Sequence, residues 1–281
     1  LGEARVFDTS LSEEGIIGRA VGMALSGLLP VPELQFRKYA DAAHEQLADL
    51  GTIRWRTAGR FAAPLVVRIP AGCGKHHQGD PWHAMTAEAV YAHLVGWKIA
   101  FPSNAEDAAG LLRTALRGDD PTFFFEHRGL LVEDEAVRPY PGDEYCLPFG
   151  VAATRSRGDA VTVVSWGQMV HRCAEVAEAL PDKITLFDLR TLIPWDRAAV
   201  LESVRQTGRL LVVHEDTATG GFAGEIIATV VAEAFAELKA PPERVAALDC
   251  PIPYNAQLRD RVIPGSEQIR ATVEQLLATS Y

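Results

Sequence analysis

Along the chain, short runs of consecutive apolar residues alternate with stretches in which apolar positions return every three or four residues. "PLVVRIP" (64–70), "WKIAF" (97–101) and "TFFFE" (122–126) are mostly apolar without strict alternation, the mark of buried strands. Between the last two, Leu111, Leu112, Ala115 and Leu116 form one apolar helical face, and Ser103 with Glu106 three residues on predicts a capping box. Strand, helix, strand implies parallel pairing with a right-handed crossover. The segment 133–149, "EDEAVRPYPGDEYCLPF", is acidic, holds three prolines and loses the periodicity, so it predicts a linker. The alternation then resumes. Strands are predicted at 160–166, 183–189, 209–215 and 244–249, and helices at 168–180, 196–206 (capped by Asp196), 223–238 and 266–279. The expected fold is α/β: two doubly wound domains with parallel or mixed sheets, spanning 1–135 and 151–281, joined by 136–150. The opening "LGEARVFDTS" is abrupt, so the first domain reads as N-terminally short.

Residues 10–39, "SLSEEGIIGRAVGMALSGLLPVPELQFRKY", place Gly15, Gly18, Gly22 and Gly27 in an apolar segment that begins like a helix. Glycine costs a helix about 1 kcal/mol relative to alanine, so several together suggest close packing or close approach of a ligand. Glu13 and Glu14 open that helix. Neighbouring helical residues point about 100° apart, so the two carboxyls cannot serve one ligand. The simplest reading makes both solvated first-turn acids favoured by the helix dipole.

Composition narrows the partners. The chain has 281 residues, a formal net charge of −10 and no Lys/Arg run, which argues against nucleic acid. No apolar stretch approaches the ~20 residues of a membrane helix, and no signal peptide is evident. Cys73, Cys146, Cys173 and Cys250 are scattered without a CxxC pair, which fits reduced thiols in a cytoplasm-like compartment. His76, His77, His83 and His93 crowd into 71–96 with Cys73, but their spacing lacks the repeated pairs of a zinc site. His76 and His77 read as solvated loop residues. "TGGFAGEI" (219–226) could cradle phosphate at a helix start, yet it lacks the spacing of a dinucleotide or Walker loop.

The blocks "FDTSLSEEGIIGRAVGMALSGLLPVPELQF", "APLVVRIPAG", "EAVYAHLVGWKIAFPSNAEDAAGLLRTALRGDDPTFFFE", "DLRTLIPWD" and "TGRLLVVHEDTATGGFAGEI" resemble the β subunits of the 2-oxoacid dehydrogenase first component. These are transketolase-like thiamin diphosphate enzymes, and the last two blocks look most like the branched-chain member. The resemblance implies a pyrimidine-binding domain followed by a transketolase C-terminal-like domain. It implies that Glu13 binds the aminopyrimidine of thiamin, where a protonated carboxyl donates to a ring nitrogen; keeping it protonated at neutral pH usually takes burial. Leu11 would pack on the cofactor, and Gln35 and Tyr39 would line the pyrimidine pocket, with Phe36 competing for the ring contact. His83 holds the place of a catalytic histidine that moves a proton as the acyl group passes to a lipoyl dithiolane. His93 matches a second, structural histidine. Where the family carries polar residues after the catalytic histidine, this chain has Ala84 and Met85, and the preceding "KHHQGDPW" is also unusual. A potassium ion would sit on carbonyls of 63–66 and 115–120, with Ala63, Leu65, Val66, Ala115, Gly118 and Asp120 as candidates.

No GDG motif, the usual start of the diphosphate and magnesium site, occurs in the chain. The resemblance therefore implies that an α subunit supplies that half, in a heterotetramer of two α and two β chains docked on a dihydrolipoyl acyltransferase core. The expected activity is decarboxylation of a branched-chain 2-oxoacid with reductive acylation of lipoamide, in the cytoplasm or a mitochondrial matrix. Pyruvate or acetoin as substrate, or a non-catalytic assembly role, remain alternatives.

Overall fold

A computed structural model describes residues 2–74 and 80–279, so His76 and His77 lie outside the described residues. The elements in chain order are α1 (Glu13–Leu25), α2 (His44–Arg56), β1 (Val66–Ala71), α3 (Ala89–Ala92), β2 (Lys98–Ala100), α4 (Ala105–Leu116), β3 (Thr122–His127), β4 (Ala153–Ser156), β5 (Val161–Ser165), α5 (Met169–Ala179), β6 (Ile184–Asp188), β7 (Thr191–Ile193), α6 (Arg197–Thr207), β8 (Leu210–Thr217), α7 (Ala223–Ala234), β9 (Glu243–Ala247), α8 (Ala256–Val262) and α9 (Ser266–Ala278). No helix among the described residues is long and apolar enough to cross a membrane.

Two sheets result. One has the order β1-β3-β2-β7 and the other β4-β6-β5-β8-β9. β1 and β2 both run parallel to β3, with Val66 and Lys98 each opposite Thr122. In the second sheet β6, β5, β8 and β9 are parallel, and β4 closes the β6 edge antiparallel. The apolar strands are buried end to end, as Val161, Val163 and Val164 on β5 and Leu210 to Val213 on β8 illustrate. Burial of both faces explains why they read as continuous apolar runs rather than alternating ones.

The sequence reading needs several corrections. β7 comes from the second half of the chain, yet it pairs antiparallel with β2, Ile99 opposite Ile193. The first sheet is thus completed by residues far beyond the linker. The helix at 105–116 is capped by Asn104, whose side chain accepts from the Asp107 amide, because the Ser103 hydroxyl donates to Asp188 at 2.5 Å instead. The α7 helix stops at Ala234 and tightens into a short 3-10 turn, Phe235–Glu237. The 133–149 segment lies along α4: Arg113 donates to the carbonyls of Gly142 and Tyr145, and Leu147 N to Gly110 O. Gly110 leaves room for this, since a Cβ there would come within 2.8 Å of Leu147 and Tyr145.

Buried polar contacts join the two halves. His127 on β3 and Glu215 on β8 meet at 2.7 Å, Glu215 also accepts the Cys73 amide, and Trp166 Nε1 donates to Glu88 at 2.7 Å. Arg155 bridges Asp107 and Asp188, and Arg190 holds the other Asp107 oxygen. Buried charges lacking such partners would cost several kcal/mol each.

Candidate active site

The α1 helix begins at Glu13, after Ser12 in extended conformation. Its inward face is Ile17, Ala20 and Ala24, packed on α2 and on the 3-10 turn Arg37–Ala43. Glu13 is half-buried and Glu14 is exposed, the division that the helical rotation requires. A Cβ added at Gly18 would meet Gln46 at an ordinary 3.7 Å and one on Gly22 would meet nothing, so that side of α1 is open. Gly27 ends the helix with φ +86°, which lets Leu28 N reach Met23 O at 3.0 Å. Leu11 is 77 % exposed, and Leu25 at the end of the helix and Leu28, Leu29 and Val31 beyond it are exposed as well.

The chain then runs beside β1. Val66 N donates to Pro30 O, Arg68 N to Pro32 O and Leu34 N to Arg68 O. This pairing fixes the segment that carries Gln35, Phe36 and Tyr39. Gln35 is exposed, whereas Phe36 and Tyr39 turn toward the loop after β1.

That loop carries His83. Tyr39 Oη lies 2.8 Å from His83 Nε2, and Phe36 packs edge-on against the imidazole at 4.3 Å between centroids. On the other side His83 Nδ1 lies 2.8 Å from Asp80 Oδ2, while Asp80 Oδ1 accepts the amides of Trp82 and His83, both at 2.7 Å. Burial pushes the Asp80 carboxyl up, but the Trp82 amide and the imidazole and amide of His83 outweigh it and hold the group below the usual range. Arg128, just past β3, donates to His83 O at 2.9 Å, and its guanidinium sits 4.9 Å from the centre of the Phe36 ring.

Ala84 and Met85 turn away from the imidazole. Ala84 is buried in the core of the second half, and Met85 Sδ accepts from Arg37. The hydrogen bonds of the imidazole therefore come from Tyr39 and Asp80. Sequence reading missed Asp80 and Arg128. For Asp80 a signal existed: Asp before Pro starts turns, and its carboxylate caps amides two and three residues on. His93 is exposed and lines a cavity of about 680 Å³ with Met85, Val90, Asp216, Asp249 and Ile252, so it is no core residue.

His214 is a packing residue. Burial drives the His214 pKa down to about 4, helped by Arg244, and neither ring nitrogen has a hydrogen-bond partner among the described residues. Its ring stacks on Trp166 at 5.4 Å. The glycines of 219–226 serve this packing: a Cβ on Gly221 would stand 2.5 Å from both the His214 ring and Thr217 O. Burial likewise raises Glu88 to about 8, reinforced by Asp216, itself raised by burial. Among the described residues no group of three or more His, Cys, Asp or Glu is placed to hold a metal ion.

The potassium candidates come together only in part. Leu65 O accepts Thr122 N at 2.9 Å, and Ala115 O accepts Gly118 N at 3.2 Å. Asp120, the one acid of the set, is already held by Lys98 at 2.8 Å and Arg54 at 3.0 Å.

Residues 2–133 match the family model of the transketolase pyrimidine-binding domain, and 150–269 that of the transketolase C-terminal domain. The 2-oxoisovalerate dehydrogenase subunit beta of Bacillus subtilis is 36% identical over 98% of this chain and 84% of its own. Subunit beta 2, mitochondrial, of Arabidopsis thaliana is 39% identical over 90% of this chain and 71% of its own. The chain belongs to the 2-oxoisovalerate dehydrogenase β-subunit family. The Pseudomonas aeruginosa β subunit is 36% identical over 98% of this chain and 82% of its own. A solved split-gene transketolase, titled an inactive beta4 tetramer, shares the fold with a TM-score of 0.77 at 21% identity, covering 99% of this chain and 85% of that one.

As a transketolase-like β subunit, the chain belongs with thiamin diphosphate enzymes. The chemistry of its candidate residues, though only Phe36, Tyr39 and His83 are in mutual contact, is of a kind that one end of that cofactor would take. A half-buried carboxyl at a helix start, an exposed leucine before it and a Phe36–Tyr39–His83 cluster suit a flat, nitrogen-bearing ring. Among the described residues, no cluster of His, Cys, Asp or Glu is placed to hold the cation that accompanies a diphosphate.

Proposed function

We propose that this chain is the β half of a thiamin-diphosphate-dependent dehydrogenase for branched-chain 2-oxoacids, with each active site shared with an α subunit. The observation that carries the reading is the asymmetry of the site. Residues that would serve the pyrimidine end, Glu13, Tyr39 and His83, are on this chain, and the open side of α1 is accompanied by exposed Leu11, Leu25, Leu28 and Leu29. Apolar surface of that kind favours a permanent partner. Residues 1–135 would form the cofactor-binding domain and 151–281 a C-terminal domain for assembly, joined by 136–150. Two α and two β chains on a dihydrolipoyl acyltransferase core complete the assembly, in bacterial cytoplasm or a mitochondrial matrix.

When bound, thiamin diphosphate supplies the carbon nucleophile and electron sink for decarboxylation. Glu13 would hold a proton against a ring nitrogen, Leu11 and Gln35 would border the ring, and Tyr39 would close the pocket beside His83. The imidazole would pass a proton at Nε2, through or in place of the Tyr39 hydroxyl, as the acyl group leaves for a lipoyl dithiolane. The α subunit would bring magnesium and the diphosphate ligands. Potassium on the carbonyls of 63–66 and 115–120 rests on resemblance alone, and higher thermal stability in potassium than in sodium chloride is its check.

The test is 2-oxoacid-dependent reduction of an artificial electron acceptor with thiamin diphosphate and magnesium. The chain is assayed alone and co-expressed with its α subunit, against 2-oxoisovalerate, pyruvate and acetoin. Activity only in the co-expressed sample, highest with 2-oxoisovalerate, is expected. Turnover by the chain alone overturns the shared site, and a stable but inactive complex points to a non-catalytic assembly role.

A further inference from the structure

We infer that Asp80 is the positioning residue for His83, fixing the tautomer of its imidazole. The inference rests on the reading of His83 as a proton carrier, but its structural part stands alone. Asp80 spends both oxygens. Oδ1 takes the amides of Trp82 and His83 and thereby folds the turn that presents the imidazole; Oδ2 faces Nδ1 at 2.8 Å. Asp80 is held in its ionised form, and a carboxylate can only accept. The Nδ1–H tautomer of His83 is therefore selected. Nε2 is left with its lone pair, where it accepts from the Tyr39 hydroxyl at 2.8 Å. The other groups around the ring do not compete: Phe36 offers a ring edge, and Arg128 is committed to the His83 carbonyl. The polar neighbours absent at Ala84 and Met85 are thus replaced from the preceding turn. Selecting the tautomer puts the basic nitrogen on the side of Tyr39 and leaves it ready to take a proton there.

Asp80→Asn separates orientation from turn formation. The amide oxygen would remain on the Trp82 and His83 amides, so the side-chain NH2 would face Nδ1. Nδ1 must then accept, and the proton moves to Nε2, with Tyr39 turning from donor to acceptor. The experiment is 15N spectroscopy of the αβ complex with only β-chain histidines labelled, His83 being assigned through His83→Gln. The expected result is Nδ1–H in the parent and Nε2–H in Asp80→Asn. A drop in kcat for lipoyl acyl transfer of about 10- to 10³-fold should accompany the switch, with little change in KM for the 2-oxoacid. Nε2–H in the parent complex overturns the inference without any variant, as does an unchanged tautomer in Asp80→Asn. A tautomer switch together with full activity in both Asp80→Asn and His83→Ala would instead retain the positioning and sink the proton-carrier reading.

Discussion

His83 and His214 show what position does to one kind of side chain. His83 sits on a turn at the surface of the first half, half-buried, with a partner on each ring nitrogen. His214 lies inside β8 of the second half, with no exposure and no hydrogen bond to either nitrogen among the described residues. Burial without partners removes a histidine from proton traffic by holding it neutral. Partial burial with two oriented partners keeps the ring accessible and chooses which nitrogen works. In the buried seam burial acts on the opposite charge type: Glu88, beside Asp216 and bonded by Trp166, is pushed up to about 8.

The sharpest way to break the comparison is at the accessible site. Glu13→Gln should lower 2-oxoacid decarboxylation by about 10³-fold or more. His83→Ala should cost lipoyl acyl transfer about 10²- to 10⁴-fold, with a smaller loss when an artificial acceptor takes the electrons. Parallel steady-state assays of the αβ complex check both, and an equal loss in the two assays for His83→Ala would remove its acyl-transfer role.

At the seam the effects should appear in stability instead. Glu88 has a folded pKa of about 8 against an unfolded 4.5, so the folded state binds the extra proton. Its contribution is complete below pH 4.5 and is lost as pH rises toward 8. Glu88→Gln keeps an acceptor for Trp166 Nε1 and should flatten that decline in urea titrations run across the window. His214 runs the other way. Its folded pKa of about 4 lies below the unfolded 6.5, so stability falls as the pH drops from 6.5 to 4. The loss is on the order of 3 kcal/mol. His214→Leu should remove that acid-side slope while staying within about 1.5 kcal/mol of the parent above pH 6.5. An unchanged slope would mean that the ring is not held neutral.

The smallest effect is expected from Tyr39→Phe. It deletes one hydrogen bond, worth about 1 kcal/mol, while Asp80 still orients the imidazole. Acyl transfer should fall less than about tenfold.

The main strands and the long helices were legible because burial on both faces writes uninterrupted apolar runs, as in "TFFFE", and because caps such as Asp196 are local. β7 was not, since three residues carry no periodicity and their partner lies some ninety positions earlier. The cap shifted from Ser103 to Asn104 because a long-range acceptor, Asp188, captured the serine. In the site, Glu13, Tyr39 and His83 were reached by resemblance, and the meeting of Tyr39 with His83 depends on a contact across 44 positions. Asp80 was written plainly as an Asp-Pro turn, but which atom its second oxygen would meet depends on where the turn points.

The placement of β7 also bears on how the protein is made. A ribosome delivers β1, β2 and β3 long before residues 191–193, so the nascent first sheet waits with the edge of β2 unpaired. Open edges recruit other strands. Until the second half emerges, the growing chain depends on brief exposure or on chaperones to keep that edge for its own late strand.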